Sequence, residues 1–265
     1  MANLQEKYAI VKQLIEMLLK VEPNNGFYGS GFANTYSHQR LRLRGLMNLH
    51  LPEHELDPQF YELQDRLLQI ELMENGYVDV MSFASTSYPK IALYQGDITR
   101  LKADAIVNAA NSELLGCFVP GHNCVDNCIH SAAGLQLRDE CYQLMKKQGH
   151  DEEIGTAKIT KAYNLPAKYV IHTVGPVVYD RPTTSDQNLL AACYKACLSI
   201  AERHGCKSIV FPCISTGVFN YPNRQAAQVA VETVDQYQAL HSNAPIVVFN
   251  TFKDLDEEIY EELLY

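Results

Sequence analysis

From Lys90 onward the chain alternates short apolar runs with amphipathic helical patterns, and that alternation leaves few folds open. Residues 91–94, 105–108, 157–160, 169–174, 208–211 and 246–251 are rich in Ile, Val, Phe and Tyr and end in polar, Gly or Pro residues, as buried strands do. Between them, residues 125–133, 135–147, 187–202, 224–238 and 255–264 place apolar side chains at helical intervals. Such alternation predicts an α/β fold, with three layers and helices on both faces of a mixed, mainly parallel sheet. Ligands in these sheets sit beyond the carboxyl ends of strands. The loops that follow the strands are therefore the places to look for chemistry.

The first 89 residues read differently. Leu4, Ile10, Leu14, Ile15 and Leu18 give residues 4–20 a helical pattern that Pro23-Asn24-Asn25-Gly26 ends. Helical patterns return over 37–49 and 58–74, with Asn75-Gly76 closing the second. No strand pattern falls in this part, and 80–88 reads as a connecting loop. The organisation expected is a helical N-terminal extension over 1–89 and an α/β domain over 90–265.

Charge narrows the function. With 22 Lys+Arg against 31 Asp+Glu, the formal net charge is -9. That balance argues against a nucleic-acid partner, since such binding rests on Lys and Arg displacing counterions. An anionic ligand must then be held mostly by backbone N–H groups. No long apolar run suggests a membrane span, and Met1 to Ile10 carries no leader-like pattern. A cytoplasmic protein is expected. Its eight cysteines are then reduced thiols, each a small hydrophobe, a metal ligand or a nucleophile.

Three post-strand loops carry candidate chemistry. In Gln95-Gly96-Asp97-Ile98-Thr99, a carboxylate can accept from an exocyclic amine; the plainer reading makes Asp97 a cap for a short helix. The second loop runs from Asn108-Ala109-Ala110-Asn111 to Asn127 and holds Cys117, His122 and Cys124 within eight residues. Two thiolates and an imidazole are donors that zinc prefers, and three ligands without an evident fourth describe a catalytic site with an open position. Pro120 and Gly121 bend the chain between them. The competing reading makes the cysteines buried thiols. Cys128, one turn past Cys124, is expected to pack against the core. The third loop, from Pro212-Cys213 to Tyr221-Pro222, is small-residue rich and opens a helix, which suits an anion nest but also an ordinary turn.

Five ordered segments in these regions resemble the macrodomain family, which binds ADP-ribose. They are Gly96-Asp97-Ile98-Thr99, Ile106-Val107-Asn108-Ala109-Ala110-Asn111, Gly155-Thr156-Ala157, Ile171-His172-Thr173-Val174-Gly175-Pro176 and Phe211-Pro212-Cys213-Ile214-Ser215-Thr216-Gly217-Val218-Phe219. Most macrodomains carry a glycine-rich stretch where this chain has its Cys/His/Cys loop. This version resembles the zinc-dependent macrodomains of bacteria and some fungi, which are protein-ADP-ribose hydrolases, many linked to a sirtuin-type transferase and a lipoyl-carrier protein. The resemblance implies one zinc ion per chain on Cys117, His122 and Cys124, and Asp97 and Ile98 on the adenine. It puts Asn111 on the distal ribose, and Cys124, Val125, Asp126, Asn127, Ser215, Thr216, Gly217, Val218 and Phe219 along the diphosphate and distal ribose.

The activity expected is hydrolysis of an ester or related bond between ADP-ribose and a protein side chain. Asn111 would orient the ribose, and Asp126 would act as general base or beside the metal, unless it merely caps the next helix. Zinc would polarise the substrate or activate a water; the sequence leaves both open. His130 and His172, within a helix and a strand, read as satisfied core histidines. Cys141, Cys193, Cys197, Cys206 and Cys213 read as core. The rival function is an ADP-ribose reader that does not cleave. A third makes the metal structural and 1–89 a docking platform. A zinc deaminase is disfavoured, because its His-x-Glu and Pro-Cys-x-x-Cys are missing.

Overall fold

The structure, a computed structural model, describes residues 4–265. Residues 1–3 of the extension, and with them part of the stretch read for a leader, lie outside it. Three helices come first: α1 (Leu4–Val21), α2 (Tyr36–Leu49) and α3 (Pro58–Asn75). Asp57 and Thr35 cap α3 and α2 with their side chains, each satisfying an amide that the first turn leaves free. Val11, Leu14, Leu43, Leu46, Phe60 and Leu67 form a small core between the three, joined by Leu135 from the α/β part.

The remaining elements are β1 (Val78–Asp79), β2 (Ile91–Gln95), β3 (Leu101–Lys102), β4 (Ala105–Ala109), α4 (Val125–Ala133), α5 (Leu135–Gln148), β5 (Ala157–Lys161), β6 (Tyr169–Thr173), α6 (Thr184–Arg203), β7 (Ser208–Phe211), α7 (Asn223–Leu240), β8 (Ile246–Thr251) and α8 (Asp254–Leu264). Six strands form one sheet in the order β2-β8-β7-β4-β6-β5. All neighbours are parallel except β5, which runs antiparallel to β6 at the edge. The mixed, mainly parallel three-layer α/β/α architecture expected from the alternation is therefore the observed one. One expectation fails locally. Val78 and Asp79, in the part read as strand-free, pair with β3 in a separate two-stranded ribbon.

The strands alternate their faces with period two, as a pleat requires. Val107, Ile171, Ile209, Phe211, Val247 and Phe249 pack under α6, α7 and α8. Ile106, Val170, Val210 and Val248 pack on the other side, under α4 and α5. Asn108 and His172 continue this second face and are paired in register across β4 and β6. The carboxyl ends of β2, β4 and β7 open on one rim, where the three loops meet. None of the described helices is long and apolar enough to cross a membrane.

Candidate active site

A cleft of about 1070 Å³ lies along that rim. The loops after β2, β4 and β7 line one side, and α2 and α3 contribute Arg40, Arg44 and Glu71 to the other. The first loop follows the plainer reading in part. Asp97 caps a short turn, accepting from the Thr99 amide at 2.9 Å and the Thr99 hydroxyl at 2.7 Å. It also lines the cleft beside Ile98.

The second loop converges. The Sγ of Cys117, a ring nitrogen of His122 and the Sγ of Cys124 all lie within 4.8 Å of one another. The Cys117 Sγ to His122 Nδ1 distance is 3.6 Å. Zinc bonds of about 2.3 Å to sulfur and about 2.0 Å to nitrogen, at a tetrahedral angle, put such atoms roughly 3.6 Å apart. The turn that brings them together passes through Gly121 at φ +67°, a left-handed conformation that glycine adopts without strain. Cys124 also caps α4, its Sγ accepting from the Asn127 amide at 3.4 Å. Burial, with Cys117 and Asp126 nearby, pushes its thiol up to about 12. A cation reverses that preference, because a coordinated thiol is deprotonated.

Behind this cluster sits a buried polar group. Asp126 Oδ1 accepts from Asn108 Nδ2 at 2.7 Å and stands 3.6 Å from His130 Nε2. Burial raises the Asp126 carboxyl to about 6, opposed by the Asn108 hydrogen bond and the Arg138 charge. Asp126 therefore sits inside the first turn of α4 and is not its cap. His172 is satisfied as expected, meeting Asn108 at 3.2 Å and the Thr160 hydroxyl at 2.9 Å. His130 is not: both ring nitrogens are buried without a hydrogen-bond partner. Its spacing of four from Asp126 puts the two on one helix face, a signal the sequence already contained.

In the third loop Ser215 adopts φ +66° and Asn220 φ +55°. The backbone amides of Gly217, Val218 and Phe219 find no acceptor among the described residues. Three free N–H groups in succession are what an anion-binding concavity requires. Ser215 tucks its hydroxyl against Gly175, where a Cβ would fall 2.0 Å from that oxygen. Phe219 rests on the small cluster of Ala110, Leu114 and Val174.

The cleft gathers Asp97, Ile98, Asn111, the three metal-ligand candidates, Val125, Asp126 and residues 215–219. Asn127 is the exception. It is fully buried, and its side-chain amide holds the carbonyls of Cys117 at 3.2 Å and Val119 at 3.0 Å. Asn111 spends its Nδ2 on the Gly116 carbonyl at 3.1 Å, so part of its side chain shapes the loop. One cysteine departs from the core reading. Cys128 is half-buried on the cleft and accepts from Arg44 at 3.7 Å. Cys213, half-buried at the cleft, packs against the core as expected. Cys141, Cys193, Cys197 and Cys206 are buried.

The Macro domain family matches residues 107–230. A protein from Treponema medium named protein-ADP-ribose hydrolase is 45% identical, over 95% of this chain and 96% of that one. One of the same name from Staphylococcus aureus (strain MSSA476) is 44% identical, over 83% of this chain and 82% of that one. Among solved structures, the Trypanosoma brucei macrodomain in complex with ADP-ribose is 30% identical, covers 83% of this chain and 95% of that one, and superposes with a TM-score of 0.64.

Proposed function

The chain belongs to the Macro domain family, and from that premise we propose that it is a zinc-dependent hydrolase that removes ADP-ribose from modified protein side chains. The observation that carries the proposal is the convergence of Cys117, His122 and Cys124 within 4.8 Å beside the buried carboxyl of Asp126. The donor set and spacing fit zinc, and three ligands leave a position open. A zinc ion held there would supply a Lewis acid next to the distal ribose.

The chain's own residues would do the rest. The amides of Gly217, Val218 and Phe219 would take the diphosphate without needing net positive charge. Asp97 and Ile98 would hold the adenine end. Asn111 would orient the distal ribose, its Nδ2 fixed on Gly116 and its Oδ1 on the Glu113 amide. Asp126 would accept the proton of the attacking water. Asn108 holds that carboxylate in place through its amide. The bond proposed as substrate is the ester to Asp or Glu, and its source a sirtuin-type transferase acting on a lipoyl-carrier protein; only the family resemblance supports that source.

The test supplies aspartate-linked and arginine-linked mono-ADP-ribosylated proteins, with and without a strong chelator, and measures released ADP-ribose. Release from the ester-linked substrate that the chelator abolishes is expected. Tight ADP-ribose binding with no release from either linkage would make the protein a reader. Release that survives metal removal would take zinc out of the reaction.

A further inference from the structure

Arg44 and Asn48 stand four residues apart on one face of α2, and both reach main-chain groups of the metal-ligand loop. Arg44 Nη2 donates to the His122 carbonyl at 2.9 Å. The Gly121 amide donates to Asn48 Oδ1 at 2.9 Å. The same guanidinium nitrogen reaches Asn127 Oδ1 at 2.9 Å, and Asn127 in turn grips the carbonyls of Cys117 and Val119. Asn48 Nδ2 donates to the Ser131 hydroxyl, which itself donates to Asn127. One helix of the extension thus holds the loop, directly or through Asn127, at residues 117, 119, 121 and 122.

Arg44 is an expensive way to pack a helix. Its Nε is buried without a partner, a desolvation cost that plain packing would avoid. Its other contacts go to neutral acceptors. All three acceptors of its Nη2 lie on the loop or at the start of α4, and that placement points to a role in the loop. The structure assigns Arg44 and Asn48 the role of positioning residues that hold Cys117, His122 and Cys124 converged before any metal arrives. Ordering a chain segment costs about 1–2 kcal/mol per residue, and an undocked loop would have to meet that cost when the metal binds. With α2 in place, the cost is met on folding. Contacts that orient metal ligands typically change affinity about 10- to 100-fold when removed. The effect on metal affinity rests on the zinc reading above; the ordering of the loop does not.

The test uses the full chain, stripped of metal, with the variants Arg44→Met, Arg44→Lys and Asn48→Ala. Amide hydrogen exchange is followed by mass spectrometry, and zinc affinity by competition with a chromophoric chelator. In Arg44→Met and in Asn48→Ala, exchange over residues 116–124 is expected to rise at least about 10-fold while β7 and β8 keep their protection, with zinc bound roughly 10- to 100-fold more weakly. Arg44→Lys should fall between, because an ammonium is a point donor and lacks the guanidinium fork. Wild-type exchange of the loop in both Arg44→Met and Asn48→Ala, or a rise spread evenly over the chain, would overturn the assignment. If the wild type binds no zinc while the loop still loosens in these variants, the positioning role stands and the zinc reading falls.

Discussion

The two faces of the central sheet bury similar strands under very different layers. Under α6, α7 and α8 the interior is apolar: Tyr194 packs on Phe211 and Phe249, and Cys193 and Cys197 are fully enclosed. Under α4 and α5 the same strands support Asn108, Asp126, His130, Arg138 and His172, all buried. Arg138 alone is bonded to the carbonyls of Met47, Asn48, His50 and Leu115 and lies over the ring of Phe118. Buried polar groups are costly unless satisfied, so the face that gathers most of them carries the larger burden, although the Tyr221 hydroxyl on the other face is also buried without a partner. That face borders the cleft. The apolar face supplies stability, and the polar face spends part of it to bury charged and polar groups beside the cleft.

The largest effect expected from breaking this contrast is at Cys117. Cys117→Ser should lower kcat/KM for ADP-ribose release on the order of 10³-fold, because a Lewis acid contributes several kcal/mol to the barrier. Without metal, the unfolding midpoint should move little, since the side chain is only half-buried. Steady-state release with zinc, and urea denaturation of both proteins after metal removal, check the two halves. Next comes Arg138→Met, which leaves four inward carbonyls without their donor. Each unsatisfied buried group costs about 1–3 kcal/mol, so a loss on the order of 4 kcal/mol is expected in urea unfolding. An unchanged midpoint would mean that water replaces the guanidinium, and that the polar face is wetter than it looks.

Both faces were legible in their regular elements, α4 on the polar face with the bounds expected. Residues 208–211 and 246–251 are strands with the bounds expected, because a buried parallel strand needs only a continuous apolar run. The convergence of Cys117, His122 and Cys124 was legible too, since all three residues are local. What escaped depends on distant partners. Cys128 looked like core from helical spacing, yet it lines the cleft, where Arg44, 84 residues earlier, donates to it. Asn127 looked like a ligand contact, and is spent on the loop carbonyls that its own fold brings near. The two residues of β1 carry no period at all, so their pairing with β3 had no local sign.

Acid sharpens the contrast at the third level of effect. Burial holds the His172 imidazole at about 4, against roughly 6.5 in an unfolded chain. Between those values the unfolded chain binds a proton that the folded one refuses. The contribution to stability is therefore full above about pH 6.5 and is lost as pH falls toward 4. A shift of this size corresponds to about 3 kcal/mol. His130 is depressed as well, by burial and the Arg138 charge, and acts with the same sign. His172→Gln should flatten most of its share of the slope when urea midpoints are compared at pH 7.5 and 4.5. An unaltered slope in that variant would place the acid sensitivity elsewhere.

The smallest effect is expected on the apolar face, at Cys197. The side chain is fully enclosed and its thiol is held well above the ordinary range by burial. Cys197→Ala should cost about 1 kcal/mol through the small cavity it leaves, and leave kcat/KM within about twofold. A thiol reagent should modify Cys197 slowly in the folded protein, because the thiolate is the reacting form. Burial alone does not separate it from Cys124, whose thiol is also raised. The difference is company: Cys124 meets a sulfur and an imidazole nitrogen at the cleft, whereas Cys197 meets Cys193 and Thr173 within the apolar layer, with no imidazole among the described residues beside it. If Cys197→Ala cut activity as deeply as Cys117→Ser, the two faces would be coupled through the sheet, and the division of labour between them would be wrong.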